Sequence, residues 1–153
     1  MDALELAVPP PVVMIVVGVL MWLLYFLFPA FTLPSISHIW ITIIFVLAGL
    51  VIGMLGIINF NRAGTTSNPG KTAQVSALVT SGIYRFTRNP MYIGVLLLLI
   101  GWGVYLGNIL ALICAFIFVL YINRYQIRPE ERLLERKFGD EYVSYKAKVR
   151  RWI

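Results

Sequence analysis

The chain has 153 residues, 59% of them hydrophobic and 13% charged, with a formal net charge of +6 and a mean hydropathy of +0.82. Ordinary soluble domains carry roughly 25% charged residues, so a water-soluble globule is excluded as the default. The length leaves room for about one domain, and the apolar residues gather into long runs, which reads as a single all-α integral membrane domain over 1–153. Basic charge on so apolar a chain points to the cytoplasmic face of a bilayer rather than to nucleic acid. Cys114 is the only cysteine. It lies inside an apolar run, so there is no disulfide framework and no cysteine metal site.

Four apolar runs follow in chain order: Val12 to Phe28, Ile39 to Ile58, Met91 to Leu106 and Ile109 to Ile122. Each is compared with the ~20 residues that cross a bilayer, and the second is the clearest span. The first follows Pro9, Pro10 and Pro11, which suit a helix entrance but not its interior. Acidic Asp2 and Glu5 precede it where a signal peptide would be basic, and no small-residue cleavage site follows Phe28. The last two runs are separated only by Gly107 and Asn108, which predicts a tight helical hairpin. Lys and Arg number none before the first run, none between the first two, four in 59–90, none in the hairpin turn and nine after Ile122. All therefore fall on one side of a four-span arrangement, and that side is expected to be cytoplasmic, with both termini inside.

Two segments lie outside the spans. Residues 59–90 contain Asn-Pro-Gly at 68–70 and Ser-Gly at 81–82, predicting a loop with one short helix around Ala73 to Leu78. In the tail from Asn123, Pro129 can open a helix at its first turn, with Glu130 and Glu131 at the positive end of its dipole and Gly139 ending it. A second short helix, capped by Asp140, is expected to follow. Phe138, Tyr142, Tyr145 and Val149 then form an apolar-aromatic stripe opposite Lys146, Lys148, Arg150 and Arg151. On pattern alone this is an interfacial helix lying on anionic lipid.

Candidate chemistry concentrates at two places. Between Gly82 and Gly94, Arg85, Arg88, Tyr84, Tyr92 and the Asn89-Pro90 turn crowd the mouth of the third run. A positive anchor with an aromatic belt explains the arginines and either tyrosine, but not Asn-Pro at a helix entrance. After the fourth run come Arg124, Arg128, Glu130 and Glu131. Carboxylates so close to hydrocarbon require a partner. Local pairing, for instance of Glu131 with Arg128 or with Arg132 and Arg136, the neighbours of Glu135, is one reading, and a shared polar pocket with the tyrosines is the other. A zwitterionic, cationic cofactor would use that set: Arg for a carboxylate, Glu for an ammonium or ribose, aromatic faces for a sulfonium. Gly49 and Gly53, and Gly103 and Gly107, have spacing suited to helix packing. His38, on the far side from the charges, reads as interfacial. Walker, dinucleotide and HExxH signatures are missing from the chain.

At this point Gly82 to Gly94 resembles the Gly-x-Tyr-Arg-x-x-Arg-His-Pro-x-Tyr-x-Gly signature of the isoprenylcysteine carboxyl methyltransferase and phospholipid methyltransferase superfamily. Arg128-Pro129-Glu130-Glu131, followed by Phe138-Gly139 and by Tyr142 and Tyr145, resembles its Arg-x-x-Glu-Glu and Phe-Gly-x-x-Tyr-x-x-Tyr patterns. The resemblance covers about Asn68 to Trp152. It implies an integral membrane enzyme using S-adenosylmethionine without a Rossmann domain, its cofactor in a cytoplasm-facing pocket and a lipophilic acceptor entering from the bilayer. By motif, Tyr84, Arg88, Asn89, Pro90, Tyr92, Gly94, Glu130, Glu131, Tyr142 and Tyr145 would form the cofactor site. Arg128 would orient or activate the acceptor, and Glu131 would assist an acceptor that must lose a proton. Asn89 stands where the family usually has histidine, and Asn cannot take a proton at neutral pH. A membrane reductase using NADPH and a non-catalytic lipid-binding adaptor are the alternatives; the adaptor predicts that Glu130 and Glu131 are dispensable.

Overall fold

The computed structural model describes residues 5–33, 38–64 and 76–153. Six α-helices run in order: α1 (Pro10–Leu27), α2 (His38–Arg62), α3 (Pro90–Leu106), α4 (Ile109–Ile122), α5 (Arg128–Phe138) and α6 (Asp140–Lys148). Short 3-10 turns occupy Pro29–Phe31 and Gly82–Arg85, and a π turn spans Asn123–Ile127. No strand occurs among the described residues, apart from one isolated bridge between Thr32 and Asn108. Half of the expected short helix at 73–78 falls outside the described residues, and 76–78 are not helical.

Among the described residues three helices are long and apolar enough to cross a membrane: α1, α2 and the continuous helix Ile109–Phe138. At 17 residues α3 is shorter; at about 1.5 Å per residue it reaches ~25 Å, against a hydrocarbon core of ~30 Å. It is the central helix, packed by α2 on one side and by α1 and α4 on the other. The α2 face is made of small residues. A Cβ on Gly94 would lie 2.7 Å from the Gly49 carbonyl oxygen and 3.0 Å from Gly53 Cα, and one on Gly101 would touch Phe45 and Val46. Close backbone approach of this kind is what holds apolar helices together where lipid competes equally for their side chains. On the other side Val13, Val17 and Met21 of α1 meet Leu99 and Leu106 of α3 and Cys114 and Phe118 of α4 in one core.

The α3–α4 hairpin closes through Gly107, left-handed at φ +63°, and through Asn108. Asn108 is fully buried; its Oδ1 accepts from the Ala111 N–H at 3.1 Å, capping α4, while its Nδ2 donates to Phe28 O at 3.0 Å and Thr32 Oγ1 at 3.2 Å. One amide thus caps a helix and ties the two loops at that end of the bundle.

Pro129 does not start a separate helix, as its sequence position suggested. It sits inside one helical rod from Ile109 to Phe138, preceded by the π turn, in which the Arg128 N–H bonds back to Asn123 O. Proline has no N–H for the carbonyl four residues behind it. That carbonyl belongs to Tyr125, and the Leu6 N–H donates to it at 3.0 Å. Leu6 adopts a left-handed backbone, φ +58°, and beside it the buried Glu5 carboxylate pairs with Arg132 at 2.7 Å. The N-terminal segment therefore supplies a donor where the proline withdraws one. Asp140 is also not a cap: it is the first residue of α6, and Gly139 at φ +52° is the junction between α5 and α6.

The α2–α3 seam predicts that Gly94→Ala lowers the stability of the detergent-solubilised protein by about 1–3 kcal/mol through overpacking. Gly18→Ala, whose Cβ meets nothing within 4 Å, should shift stability by no more than about 0.5 kcal/mol. Thermal melts in which the two variants behave alike would contradict the seam.

Candidate active site

The polar residues converge at the end of the bundle that carries Arg62, the 82–89 segment, α5 and α6. Gly82 is left-handed, φ +60°, and the Asn59 side chain fills the space a Cβ would need; only glycine fits both demands. The following 3-10 turn buries Tyr84, whose ring stands edge-on to Phe60 at 5.3 Å. Tyr145 of α6 donates its hydroxyl to the Tyr84 carbonyl at 2.7 Å. The aromatic stripe of α6 accordingly faces the protein through buried Tyr142 and Tyr145, and the interfacial reading of that face gives way to packing against the 82–89 segment.

The last residues of the chain lie along the start of α3. The Arg88 N–H donates to Arg150 O at 3.0 Å, Asn89 Nδ2 to Arg151 O at 2.9 Å and Thr87 Oγ1 to the same carbonyl at 3.3 Å. The Trp152 indole donates to Asn123 Oδ1 at 3.1 Å. Asn89, in the place of the family's histidine, therefore uses its amide to bind the C-terminal strand of backbone.

The two neighbouring carboxylates have opposite environments. Glu131 is clamped by Arg151, with Nε at 3.1 Å and Nη2 at 2.6 Å, and by Arg88 Nη2 at 3.2 Å. These bonds raise Arg151 above its usual range, and Glu131 is the carboxylate shared by both guanidinium groups. The pairing expected with Arg128 is not the one found: Arg128 is exposed at the start of α5. Glu130 instead accepts from two neutral donors on one oxygen, the Tyr92 hydroxyl at 2.7 Å and Gln126 Nε2 at 3.0 Å, both to Oε1. Burial pushes its carboxyl up to about 7, with the charge of Glu131 adding to the rise and the two hydrogen bonds opposing it. Burial likewise raises the phenols of Tyr84 and Tyr142, and that of Tyr145 to about 12, so all three are neutral donors at physiological pH.

Arg88 completes the cluster. Its side chain is 10% exposed, and only Nη2 is engaged, by Glu131; Nε and Nη1 are buried without a hydrogen-bond partner. A buried guanidinium with two open donors is matched by a carboxylate ligand. Tyr84, Arg88, Asn89, Tyr92, Glu130, Glu131, Tyr142 and Tyr145 are thus gathered at one end. Pro90 and Gly94 turn towards α2, where they meet Gly56 and Gly49. Sequence reasoning missed Gln126, Trp152 and the role of Arg151. Gln126 carried a signal, a polar residue one helical turn before Glu130 on the same face; the other two carried none.

An all-helical membrane protein with a polar, arginine-centred cluster of side chains at one end of its bundle is the class defined by this geometry. The phospholipid methyltransferase family model matches residues 36–141, and the chain belongs to that family. It is 29% identical over 136 residues to protein-S-isoprenylcysteine O-methyltransferase A of Arabidopsis thaliana, covering 86% of this chain and 69% of that one. It is 31% identical over 127 residues to a probable protein-S-isoprenylcysteine O-methyltransferase of Oryza sativa, covering 78% and 65%. An uncharacterized protein of Haemophilus influenzae is 56% identical over 63 residues, all of that protein and 41% of this one. The chain thus spans about two thirds of the length of these plant relatives. No solved structure matches it significantly.

A carboxyl raised from its ordinary 4.5 to about 7 binds its proton more tightly in the folded than in the unfolded state. The stability it contributes is complete below about pH 4.5 and is lost as pH rises through about 7. Wild-type melting temperature should therefore fall more steeply than that of Glu130→Gln across this window, and parallel profiles would refute the assignment.

Proposed function

We propose that the chain is an integral membrane methyltransferase that moves the methyl group of S-adenosylmethionine to a lipophilic acceptor at the cytoplasmic membrane face. The observation that carries this reading is the buried Arg88 guanidinium with Nε and Nη1 open, at the point where α3, α5 and α6 meet. These donors suit the cofactor's carboxylate, and the neutral aromatic and carboxylate groups around them suit its cationic and ribose portions. When bound, S-adenosylmethionine supplies a methyl carbon on a sulfonium, a leaving group already activated. The protein's task is then alignment and exclusion of water.

Glu131 acts through Arg88, holding Nη2 of its guanidinium and leaving Nε and Nη1 open to a ligand. Arg151 shares that carboxylate, and the backbone of 150–151 bonded to 87–89 closes the pocket on the side away from the bundle. Glu130 has Oε1 occupied by Tyr92 and Gln126, which leaves Oε2 to take a proton. With a carboxyl near 7, Glu130 rather than the ion-paired Glu131 is suited to an acceptor that sheds a proton. An acceptor that is already an anion needs no base, and exposed Arg128 is placed to attract it. Both chain termini and all the basic segments lie on the cytoplasmic side in this reading.

Calorimetric titration with S-adenosylhomocysteine, with NADPH as the comparison ligand, tests the proposal. Saturable binding by the wild type and a loss of about a hundredfold or more in Arg88→Met are expected, as for removal of a buried charge-assisted pair. Glu131→Ala should weaken binding in the same direction. Binding of NADPH and not of S-adenosylhomocysteine, or undiminished binding by Arg88→Met, would overturn it.

A further inference from the structure

Gln126 belongs to neither of the two sequence motifs, yet it is 2% exposed and Nε2 of its amide donates to Glu130 Oε1 at 3.0 Å. The Tyr92 hydroxyl donates to the same oxygen at 2.7 Å. These two donors differ in kind. A hydroxyl can turn round and accept, whereas an amide nitrogen only donates. Turning the amide over would set its carbonyl oxygen against a carboxylate oxygen, acceptor against acceptor. The other titratable groups that face Glu130 are Tyr84 of the 3-10 turn and Glu131 beside it on α5, and both act on it through charge. Gln126 is thus the one donor to Glu130 whose direction is fixed by its chemistry.

Its backbone is fixed as well. Gln126 sits in the π turn Asn123–Ile127, which the Arg128 N–H closes on Asn123 O. From outside the helix, the Trp152 indole holds the Asn123 side chain at 3.1 Å, and the Leu6 N–H holds the Tyr125 carbonyl at 3.0 Å. Such turns inside α-helices occur frequently at functional sites. Here the ties surround the residue that meets Glu130, which is the support a precisely placed proton requires.

We propose that Gln126 is a positioning residue of the candidate active site: its amide keeps Oε1 of Glu130 an acceptor, so that Oε2 takes the proton of a protic methyl acceptor. As that proton moves, the acceptor's lone pair forms the bond to the methyl carbon, and the electron pair of the broken carbon–sulfur bond stays on sulfur. The inference rests on the methyltransferase reading for the transfer, but not for the place of the proton. A neutral donor favours the carboxylate over the acid. Losing it therefore holds the proton on Glu130 and withdraws the base.

Infrared difference spectroscopy of the full detergent-solubilised chain across a pH series tests this. It follows the carbonyl stretch of the protonated carboxyl, assigned by its loss in Glu130→Gln, with a wild-type midpoint expected at about 7. In Gln126→Met the midpoint should rise by about one pH unit, a tenfold tighter hold on the proton for one hydrogen bond removed. The band should also move to higher wavenumber, because its carbonyl oxygen has lost a donor; a role confined to packing would move neither. Gln126→Glu, which is isosteric and keeps the packing, puts a second carboxyl where the donor stood. That pair should retain a proton to about two pH units or more above the wild-type midpoint. An unmoved band in Gln126→Met, or a midpoint that stays or falls in either folded variant, would overturn the proposal. Calorimetric titration of the same wild-type preparation with S-adenosylhomocysteine separates the two readings. Raised midpoints without that binding would uphold the hold of Gln126 on the proton and overturn the methyltransferase reading; binding with unmoved midpoints would overturn the role of Gln126 alone.

Discussion

Glu131 is a single carboxylate held between two arginines that come from distant parts of the chain, Arg88 at the mouth of α3 and Arg151 near the C-terminus. Three segments meet there: the 82–89 loop, α5 and the C-terminal backbone. Taking these charges out of water is unfavourable for each alone, and the ion pairs offset that only because all three are brought together with good geometry. The clamp engages Nη2 of Arg88 and leaves Nε and Nη1 without a partner. The hydrogen bonds from Thr87, Arg88 and Asn89 to the backbone of 150–151 join the same segments beside it.

The clamp depends in turn on where α5 stands. α5 continues from α4 through a π turn rather than a loop, so its position is inherited from a helix packed in the bundle. The π turn and Pro129 disturb the regular hydrogen-bond ladder at this junction. The Leu6 N–H, bonded to the Tyr125 carbonyl, and the Glu5–Arg132 pair repair it from outside. Residues 5 and 6 thus help fix the helix that carries both acidic residues. Leu6 adopts a left-handed backbone that is unfavourable for a leucine, and the bond it makes is what sustains that conformation.

Adjacent positions on one helix turn carry chemically different carboxyls. Glu131 faces two guanidinium groups, while Glu130, pointing about 100° around the helix, meets a phenol and an amide. In the second environment burial dominates and favours the proton. The separation of roles lies in which way each side chain points. The double-acid motif alone does not distinguish the two environments, because it carries no information on side-chain direction.

The sequence by itself determined the apolar helices, the Gly107–Asn108 hairpin, the glycine break at 139 and the gathering of tyrosines, arginines and acids in two motifs. All of these follow from local hydrophobic periodicity, turn chemistry and residue type, which act over a few residues. It did not determine that Pro129 would be absorbed into a continuous helix, that Glu131 would pair with Arg88 and Arg151 rather than with Arg128, or that the α6 stripe would bury Tyr142 and Tyr145 against the protein instead of lying on lipid. Each of these rests on contacts between segments far apart in the chain: Leu6 with Tyr125, Glu131 with Arg151, Tyr145 with Tyr84. Local pattern sets which faces are apolar and which are charged, and only the packing of the helices decides which partner each face meets.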